Sequence, residues 1–351
     1  AYRLEAMDAI ARMLLRGESL ASSRIEGLRV SQRRLAEALF EPESADESAW
    51  AVIGNINAMD ASIRRATQAP EISAEDINKI HLALLRHTVD AGIAGKLRDG
   101  PGWIGGADDS PTRAEYIPPP HEEVPALVDD LAVFINRTDM SPLVQAAIAH
   151  AQFELIHPFG DGNGRVGRCL IHVVLRRRGL ATRFTPPISM ILASDTRSYI
   201  GGLTSFREER IAAWCGVFAA AARESAKLGF DLVRRFEQLE ARWSERAGNP
   251  RAHSTARKIL QMLPARPVVD AKTVTEQLGV SEVAARNALN QLDGAGILTL
   301  TRVTRWKRAW AAREVFDLLN LFEKTVAHSG PGDRRHQAPR AAGRLEDGMG
   351  R

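Results

Sequence analysis

Apolar residues recur along most of this chain at the spacing of a helix and seldom with the alternation of a strand. Tyr2–Arg16 carries Leu4, Met7, Ile10, Met13 and Leu14 on one stripe, Ser48–Ala66 is similar, and Glu122–Ile135 carries Val124, Leu127, Val128 and Leu131. From Leu228 the apolar residues fall at Leu232, Phe236, Leu239 and Trp243, one continuous helical face. That stripe stops at Gly248-Asn249-Pro250, a helix-ending and linker signal. Gly100–Pro120 differs: Trp103, Ile104, Tyr116 and Ile117 flank a polar tip, Gly105–Arg113, which suits a short β-hairpin. A mainly α fold follows.

At 351 residues the chain suits two to three domains of common size. Its 44% hydrophobic and 26% charged residues are those of a soluble globular protein and argue against wholesale disorder. The longest apolar stretch, Ile211–Ala222, falls short of the roughly 20 residues of a membrane-spanning helix and reads as a core helix. With two cysteines, Cys169 and Cys215, and no metal-like spacing between them, a cytoplasmic setting is expected, with Cys169 in the core. Charge is uneven. Residues 1–250 hold 30 Lys/Arg against 33 Asp/Glu, whereas 251–314 hold 11 against 5, which points to an anionic partner for that segment alone.

The chemistry concentrates in His157-Pro-Phe-Gly-Asp161-Gly-Asn-Gly-Arg165-Val-Gly-Arg168. An apolar-periodic helix (Ile148, Phe153, Ile156) should end near His157, because Pro158 disfavours helical geometry in the residue before it. Gly162-Asn163-Gly164 can adopt left-handed conformations and turn backbone N–H groups inward, an anion nest at the start of the next helix. Arg165 and Arg168 share a face of that helix's first turns. Cations there oppose the macrodipole, so two together imply an anion that offsets the cost; a polyphosphate fits. Asp161 supplies a hard oxygen ligand for Mg²⁺, and His157 can act near neutral pH as a base for an incoming hydroxyl. Taken singly, a histidine before proline is usually a helix end, two arginines are usually a solvated face, and Asp161 could be a turn residue; their spacing argues for the site. His150, Glu154 and His157 share a helical face but make no recognised zinc pattern, and Glu154 is expected to support His157 or to pack.

This segment resembles the signature of the Fic family, His-Pro-Phe-x-Asp/Glu-Gly-Asn-Gly-Arg-x-x-Arg, at every specified position. The resemblance extends through Gly95–Arg98, Trp103–Gly106, Ala114–Pro120 and His150–Glu154, over about residues 20–225. It implies protein adenylylation from Mg-ATP. His157 would deprotonate a Ser, Thr or Tyr hydroxyl, Asp161 would bind Mg²⁺, and Phe159 would anchor the loop. Gly162, Asn163 and Gly164 would hold phosphates, and Arg165 and Arg168 would clamp the β and γ groups. Gly162 stands where phosphate-transferring members carry Lys. The flap at Ala114, Glu115, Tyr116 and Ile117 would pair with target backbone by strand addition, and Tyr199 resembles a position near the adenine. Upstream, Ser22-Ser-Arg-Ile-Glu26-Gly27 resembles the family's inhibitory motif, with Gly27 placed to end a helix and Glu26 expected to pair with Arg168; an ordinary helix end is the plain alternative.

Downstream, Val274–Ser281 followed by Val283–Leu292 reads as helix, Gly-containing turn and N-capped second helix, and Ile297–Trp310 alternates like the hairpin of a winged helix. Arg286 and Asn287 could face DNA bases, and Arg302, Arg305, Lys307 and Arg308 phosphates. Winged helices also dock proteins, and that alternative stays open. The expected organisation is an N-terminal helical region with the inhibitory motif (1–75), a Fic-type helical core with a β-hairpin flap (76–225), a connecting helix and linker (226–250), a winged helix (251–314), and a C-terminal helix with a disordered tail (315–351). Expected partners are ATP, Mg²⁺, a target protein and DNA, with a homodimer as one form of assembly and no membrane. Removal of AMP by the same site, and a DNA-binding regulator with a nucleotide-sensing core, are the rival readings.

Overall fold

Short polar side chains set the helix starts. Ser31, Asp46, Ser73, Asp195, Ser254, Asp270 and Ser281 each accept a hydrogen bond from a backbone N–H in the first turn that follows, and Ser73 forms a reciprocal capping box with Asp76. The computed structural model describes residues 2–105 and 111–328. Among these lie α1 (Tyr2–Ile25), α2 (Gln32–Phe40), α3 (Glu47–Gln68), α4 (Ala74–Leu85), α5 (Val124–Asn136), α6 (Pro142–Ile156), α7 (Asn163–Arg177), α8 (Ile188–Ser194), α9 (Thr196–Arg207) and α10 (Ile211–Arg246). After the linker come α11 (Thr255–Met262), β1 (Val268–Val269), α12 (Ala271–Leu278), α13 (Glu282–Gly294), β2 (Thr299–Arg302), β3 (Arg308–Ala311) and α14 (Arg313–His328). The fold is mainly α, with one small sheet. The tail expected to be disordered lies outside the described residues.

Two apolar cores organise these elements. The first gathers Met59 (α3), Leu84 (α4), Val128 (α5), Phe153 (α6), Leu170 (α7) and Trp214 (α10), all at most 1% exposed. α7 is buried nearly all round: Val166, Cys169, Leu170, Ile171, Val173 and Val174 are each at most 1% exposed, so its N-terminus is held rigidly. The second core joins Met13 and Leu14 of α1 to Leu232, Phe236 and Trp243 of α10 and to Ile259, Leu289 and Phe322 of the C-terminal segment.

One expected border is corrected. The division between 225 and 226 falls inside α10, which runs unbroken for 36 residues, about 54 Å at 1.5 Å per residue. The reason is phase: Trp214, Phe218, Ala221, Ser225, Leu232, Phe236, Leu239 and Trp243 are all buried and recur every three, four or seven residues, so one stripe passes from the first core into the second. The helix ends before Gly248 and Asn249, which take φ of 77° and 51°.

Residues 255–312 form helix, strand, helix, helix and hairpin. β3 is the central strand, pairing antiparallel with β2 through Leu300↔Trp310 and Arg302↔Arg308 and with β1 through Val269↔Trp310. β1 is too short to show as a pattern in sequence. The other small β element is reduced from the hairpin expected at Gly100–Pro120 to one antiparallel bridge, Ile104↔Tyr116. Consecutive prolines at 118–120 lack the N–H groups a longer ladder needs, and residues 106–110 of the tip lie outside the described residues. No described helix is long and apolar enough to cross a membrane.

Candidate active site

α6 ends because His157 leaves the helix. Its φ and ψ are 47° and 59°, left-handed, while its N–H still reaches Phe153 O at 3.0 Å. Pro158 makes continuation unfavourable. Arg98 braces the exit, donating from its side chain to His157 O at 2.9 Å and from its backbone to Pro158 O at 2.9 Å. Phe159, 1% exposed, turns into the core and stacks on His81 with ring centroids 3.8 Å apart. His81 Nδ1 accepts from Gly95 N–H at 3.0 Å, so the proton sits on Nε2, which donates to Asp161 O at 3.1 Å. Burial lowers the His81 pKa to about 4 and keeps that tautomer neutral.

The turn back into α7 is made at Gly162, φ 76°. Gly164, also expected to be free to turn left-handed, instead lies within α7. Asn163 has a different part from the phosphate contact expected of it. Its amide accepts from Phe159 N–H at 2.9 Å and donates to Phe159 O at 2.8 Å, which staples the loop. Each end of the side-chain amide thus has one partner in the loop itself. Asp161 Oδ2 accepts from Arg165 at 2.8 Å; the Asp161 side chain is 53% exposed and Arg165 is buried. Burial lowers the pKa of His157 to about 4, although a hydrogen bond with the Glu154 backbone works the other way, so the imidazole is neutral at pH 7, and its Nδ1 is buried. Cys169 is inert: burial pushes its thiol up to about 12.

The end of α1 lies across this loop. Gly27, φ 82°, closes the helix in a Schellman turn, with Leu28 N–H on Ser23 O at 3.1 Å. Arg168, 1% exposed, donates to Ser22 Oγ at 2.8 Å, to Ser22 O at 2.9 Å and to Glu26 Oε1 at 2.6 Å. Burial works against its charge, but Glu26, Tyr199 and Glu154 more than offset this and its pKa is raised. A Cβ at Gly164 would stand 2.2 Å from Glu26 Oε1, so the carboxylate's approach depends on that glycine. α1 is itself fixed by Glu18, fully buried, which accepts from His172 Nε2 at 2.8 Å, Ser189 N–H at 2.8 Å and Ser189 Oγ at 2.5 Å.

The site opens on a hollow of about 250 Å³ walled by Glu26, Leu28, Leu85, Asp90, Asp161 and Arg165. Larger hollows of about 700 and 590 Å³ lie in the C-terminal segment and between α7 and α10, away from the motif. The flap lies beside the loop. Tyr116 Oη donates to Leu155 O at 3.0 Å, Arg207 donates to Glu115 O at 3.0 Å and covers the Tyr116 ring at 5.3 Å, Ala114 donates its N–H to Pro111 O at 2.9 Å, and Ile117 is 66% exposed.

Tyr199 is not placed as expected. It is 4% exposed and its hydroxyl lies 2.8 Å from His150 Nε2, so it backs Arg168 from the core and does not face a nucleobase. Among the expected DNA contacts, Arg286 on α13 is paired with Glu282 at 2.7 Å and Asn287 is exposed. Arg302 and Arg308 are exposed cross-strand partners, and Arg305 lies 4.7 Å over the Trp306 ring. Lys307 is corrected: it pairs with Glu41 and sits 4.7 Å over the Phe40 ring, because α2 packs against the hairpin. His81, Arg98 and Glu18 carry much of the site's geometry and were not singled out as site residues from sequence. Only Arg98 had a signal, within the Gly95–Arg98 resemblance.

A helix broken at a neutral histidine, a left-handed glycine, and a helix N-terminus with two buried arginines make a loop whose chemistry suits a polyphosphate. Residues 71–175 match the profile of the Fic/DOC family, and the chain carries a Fic/DOC domain. It is similar to protein adenylyltransferase fic-1 of Caenorhabditis briggsae, 34% identical over 146 residues, covering 40% of this chain and 26% of that protein. It is also similar to protein adenylyltransferase Fic of Drosophila ananassae, 32% identical over 134 residues, 37% of this chain and 24% of that protein. The chain thus spans about a quarter of the length of these curated relatives. Among solved structures, a Fic family protein from Desulfovibrio desulfuricans G20 superposes with a TM-score of 0.53 over 86% of this chain and 87% of its own, at 21% identity. A Fic domain containing signaling protein from Bacteroides thetaiotaomicron gives 0.52 over 62% and 87%, at 18% identity, and both likenesses show the fold.

Proposed function

We propose that this chain transfers AMP from Mg-ATP to a Ser, Thr or Tyr hydroxyl of a protein and that Glu26 holds the transfer in check. One observation carries the reading: neutral His157 stands directly before a helix N-terminus whose Arg168, buried and charged, is bound by a carboxylate at 2.6 Å. A γ-phosphate would seek the same guanidinium.

The target hydroxyl would be presented along Ala114–Ile117. Because His157 Nδ1 is buried, Nε2 is the nitrogen left to take the hydroxyl proton. The new bond joins the target oxygen to the α-phosphorus, the bond from that phosphorus to the bridging oxygen of the β-phosphate breaks, and pyrophosphate departs. Arg165, Arg168 and the free N–H groups of the first turn of α7 would compensate its charge. Asp161 fits a Mg²⁺ ion: it is a single half-exposed carboxylate, and Mg²⁺ is usually held by one or two carboxylates together with phosphates and water. Among the described residues no group of three His, Cys, Asp or Glu could hold a metal by itself, which accords with an ion carried in on the nucleotide. When bound, it neutralises phosphate charge.

For the C-terminal segment we propose a winged helix that binds duplex DNA weakly and with strong salt dependence, through the exposed Arg302, Arg305 and Arg308. Loss of any mobility shift at low salt would favour protein docking instead. The adenylyltransferase reading is tested by incubating the protein with labelled ATP and a cell lysate and weighing the products intact. An added AMP that disappears in His157→Ala supports it, and equal labelling by the mutant refutes the mechanism.

A further inference from the structure

We propose that Tyr199 and His150 are positioning residues for Arg168, the core-side holder that aims the phosphate clamp once the Glu26 carboxylate no longer holds it. This rests on the clamp role of Arg168 proposed above. The guanidinium donates three hydrogen bonds to the N-terminal segment, to Ser22 Oγ, Ser22 O and Glu26 Oε1, and removal of the Glu26 carboxylate takes away the charged one. The fourth, Arg168 Nη1 to Tyr199 Oη at 3.5 Å, goes to the core and is long while Glu26 draws the guanidinium the other way.

The direction of each bond is fixed by chemistry. Arginine only donates, so Tyr199 Oη accepts from it and sends its own proton to His150 Nε2, 2.8 Å away. His150 must then be neutral with its proton on Nδ1, which faces Glu154 Oε1 at 3.8 Å. Burial supports this, lowering the His150 pKa to about 3. Trp214 packs on both rings, with centroids 6.0 and 6.1 Å away, and is itself tied to Ala147 O at 2.7 Å. The hydroxyl therefore has one rigid position, and a buried guanidinium freed from Glu26 has it as a ready acceptor.

The test measures ATP and AMP affinity by calorimetry in the Glu26→Gly background. Tyr199→Phe should weaken ATP at least tenfold and leave AMP unchanged, since AMP lacks the clamped phosphates. His150→Gln, whose amide oxygen can take the tyrosine proton, should keep most of the ATP affinity, while His150→Leu should not. If Arg168→Ala abolishes the preference for ATP and Tyr199→Phe leaves it intact, the positioning role is wrong. If Arg168→Ala itself leaves the preference intact, the clamp reading fails and the proposal falls with it.

A separate set of contacts supports a second inference: the C-terminal segment grips the inhibitory segment from both sides. Before it, the buried Arg16 donates to Ala265 O at 3.0 Å and Pro264 O at 3.3 Å. Around it, Glu323 of α14 accepts from Arg24 and from Gln32, each at 2.8 Å. After it, Ala36 of α2 packs with Val268, Ala309, Ala311 and Phe316. Ser22–Gly27 is therefore bracketed by anchors on another part of the chain, and loosening those should free Glu26. Hydrogen exchange at the Gly27 and Leu28 amides, bonded to Arg24 O and Ser23 O, reads this without any assumption about activity. Glu323→Ala should speed that exchange severalfold, and Glu323→Ala with Arg16→Met further. Unchanged exchange in the double variant would overturn the grip.

Discussion

Replacing Glu26 by Gly removes the carboxylate that occupies Arg168 while leaving the Schellman turn at Gly27 intact. A hydrogen bond to a charged group contributes about 1.5–3 kcal/mol, and about 1.4 kcal/mol is tenfold in rate, so release should raise AMP transfer roughly ten- to hundredfold. Arg168 is 1% exposed but Glu26 is 35% exposed, so solvent screens part of the interaction and the low end is the safer figure. The rate is read as AMP added to one fixed target protein at saturating ATP, by intact mass against time. Combining Glu26→Gly with Arg168→Ala should return the rate to a low value, because on the proposed function the same guanidinium serves inhibitor and substrate. A single mutant no faster than wild type would show that Ser22–Gly27 is only a helix end and that the 2.6 Å contact is structural.

Asp161→Ala should remove the Mg²⁺ dependence of ATP binding, and a metal titration unchanged in the mutant would count against its role as the ligand. Asn163→Ala strands Phe159 N–H and O in a buried loop and should cost about 2–6 kcal/mol, at 1–3 per unsatisfied group; a melting temperature equal to wild type would sink the staple. Acid should destabilise the fold well above pH 4. His81 and His157 have folded pKa values of about 4 and His150 of about 3, all lowered by burial, so the unfolded chain takes up protons that the folded one refuses. Stability is full above the unfolded value of about 6.5 and is lost as pH falls below it, about 2 kcal/mol each by pH 5. Glu154, raised to about 7 by burial, runs the other way and returns about 2 kcal/mol over the same interval. The net loss is about 3–4 kcal/mol, and a urea midpoint constant from pH 7 to 5 would refute it.

The legible parts of this molecule are those whose causes lie within a few residues. A histidine before proline must leave its helix, and Gly162 must turn the chain, so the loop could be drawn from the residues alone. The stripe from Leu232 to Trp243 is equally plain, although its continuity with Trp214 and Phe218 is not, because Ile211–Ala222 reads by itself as a core helix. Partnerships across the chain leave no periodic trace. Glu26 meets Arg168 over 142 positions, and spacing could not have paired them; the family resemblance did. His81, a lone histidine in an apolar helix, gave no sign that it would brace Asp161 from 80 positions away. Asn163 misled for a physical reason. A polar residue in a glycine turn can face a ligand or staple its own loop, and only the position of Phe159 decides between them. Lys307 misled likewise, since nothing in a basic hairpin shows that Glu41 will be beside it.

On the proposed function, Gly164 explains why inhibitor and substrate would compete at this place. It lies in the first turn of α7, where the N–H groups and the positive end of the helix dipole favour an anion. Without a Cβ, that turn lets any small oxyanion come close, and a Cβ would meet Glu26 Oε1 at 2.2 Å and Arg168 Nη1 at 2.9 Å. A surface open to a phosphate there is therefore open to a carboxylate. Glu26, at the end of α1, sits where carbonyl dipoles disfavour an anion, and Arg168 sits in the early turns of α7, where N–H dipoles disfavour a cation. Each relieves the other at 2.6 Å. A triphosphate relieves Arg168 as well but leaves Glu26 in an unfavourable field, so the balance depends on how firmly α1 and its neighbours hold that carboxylate in place.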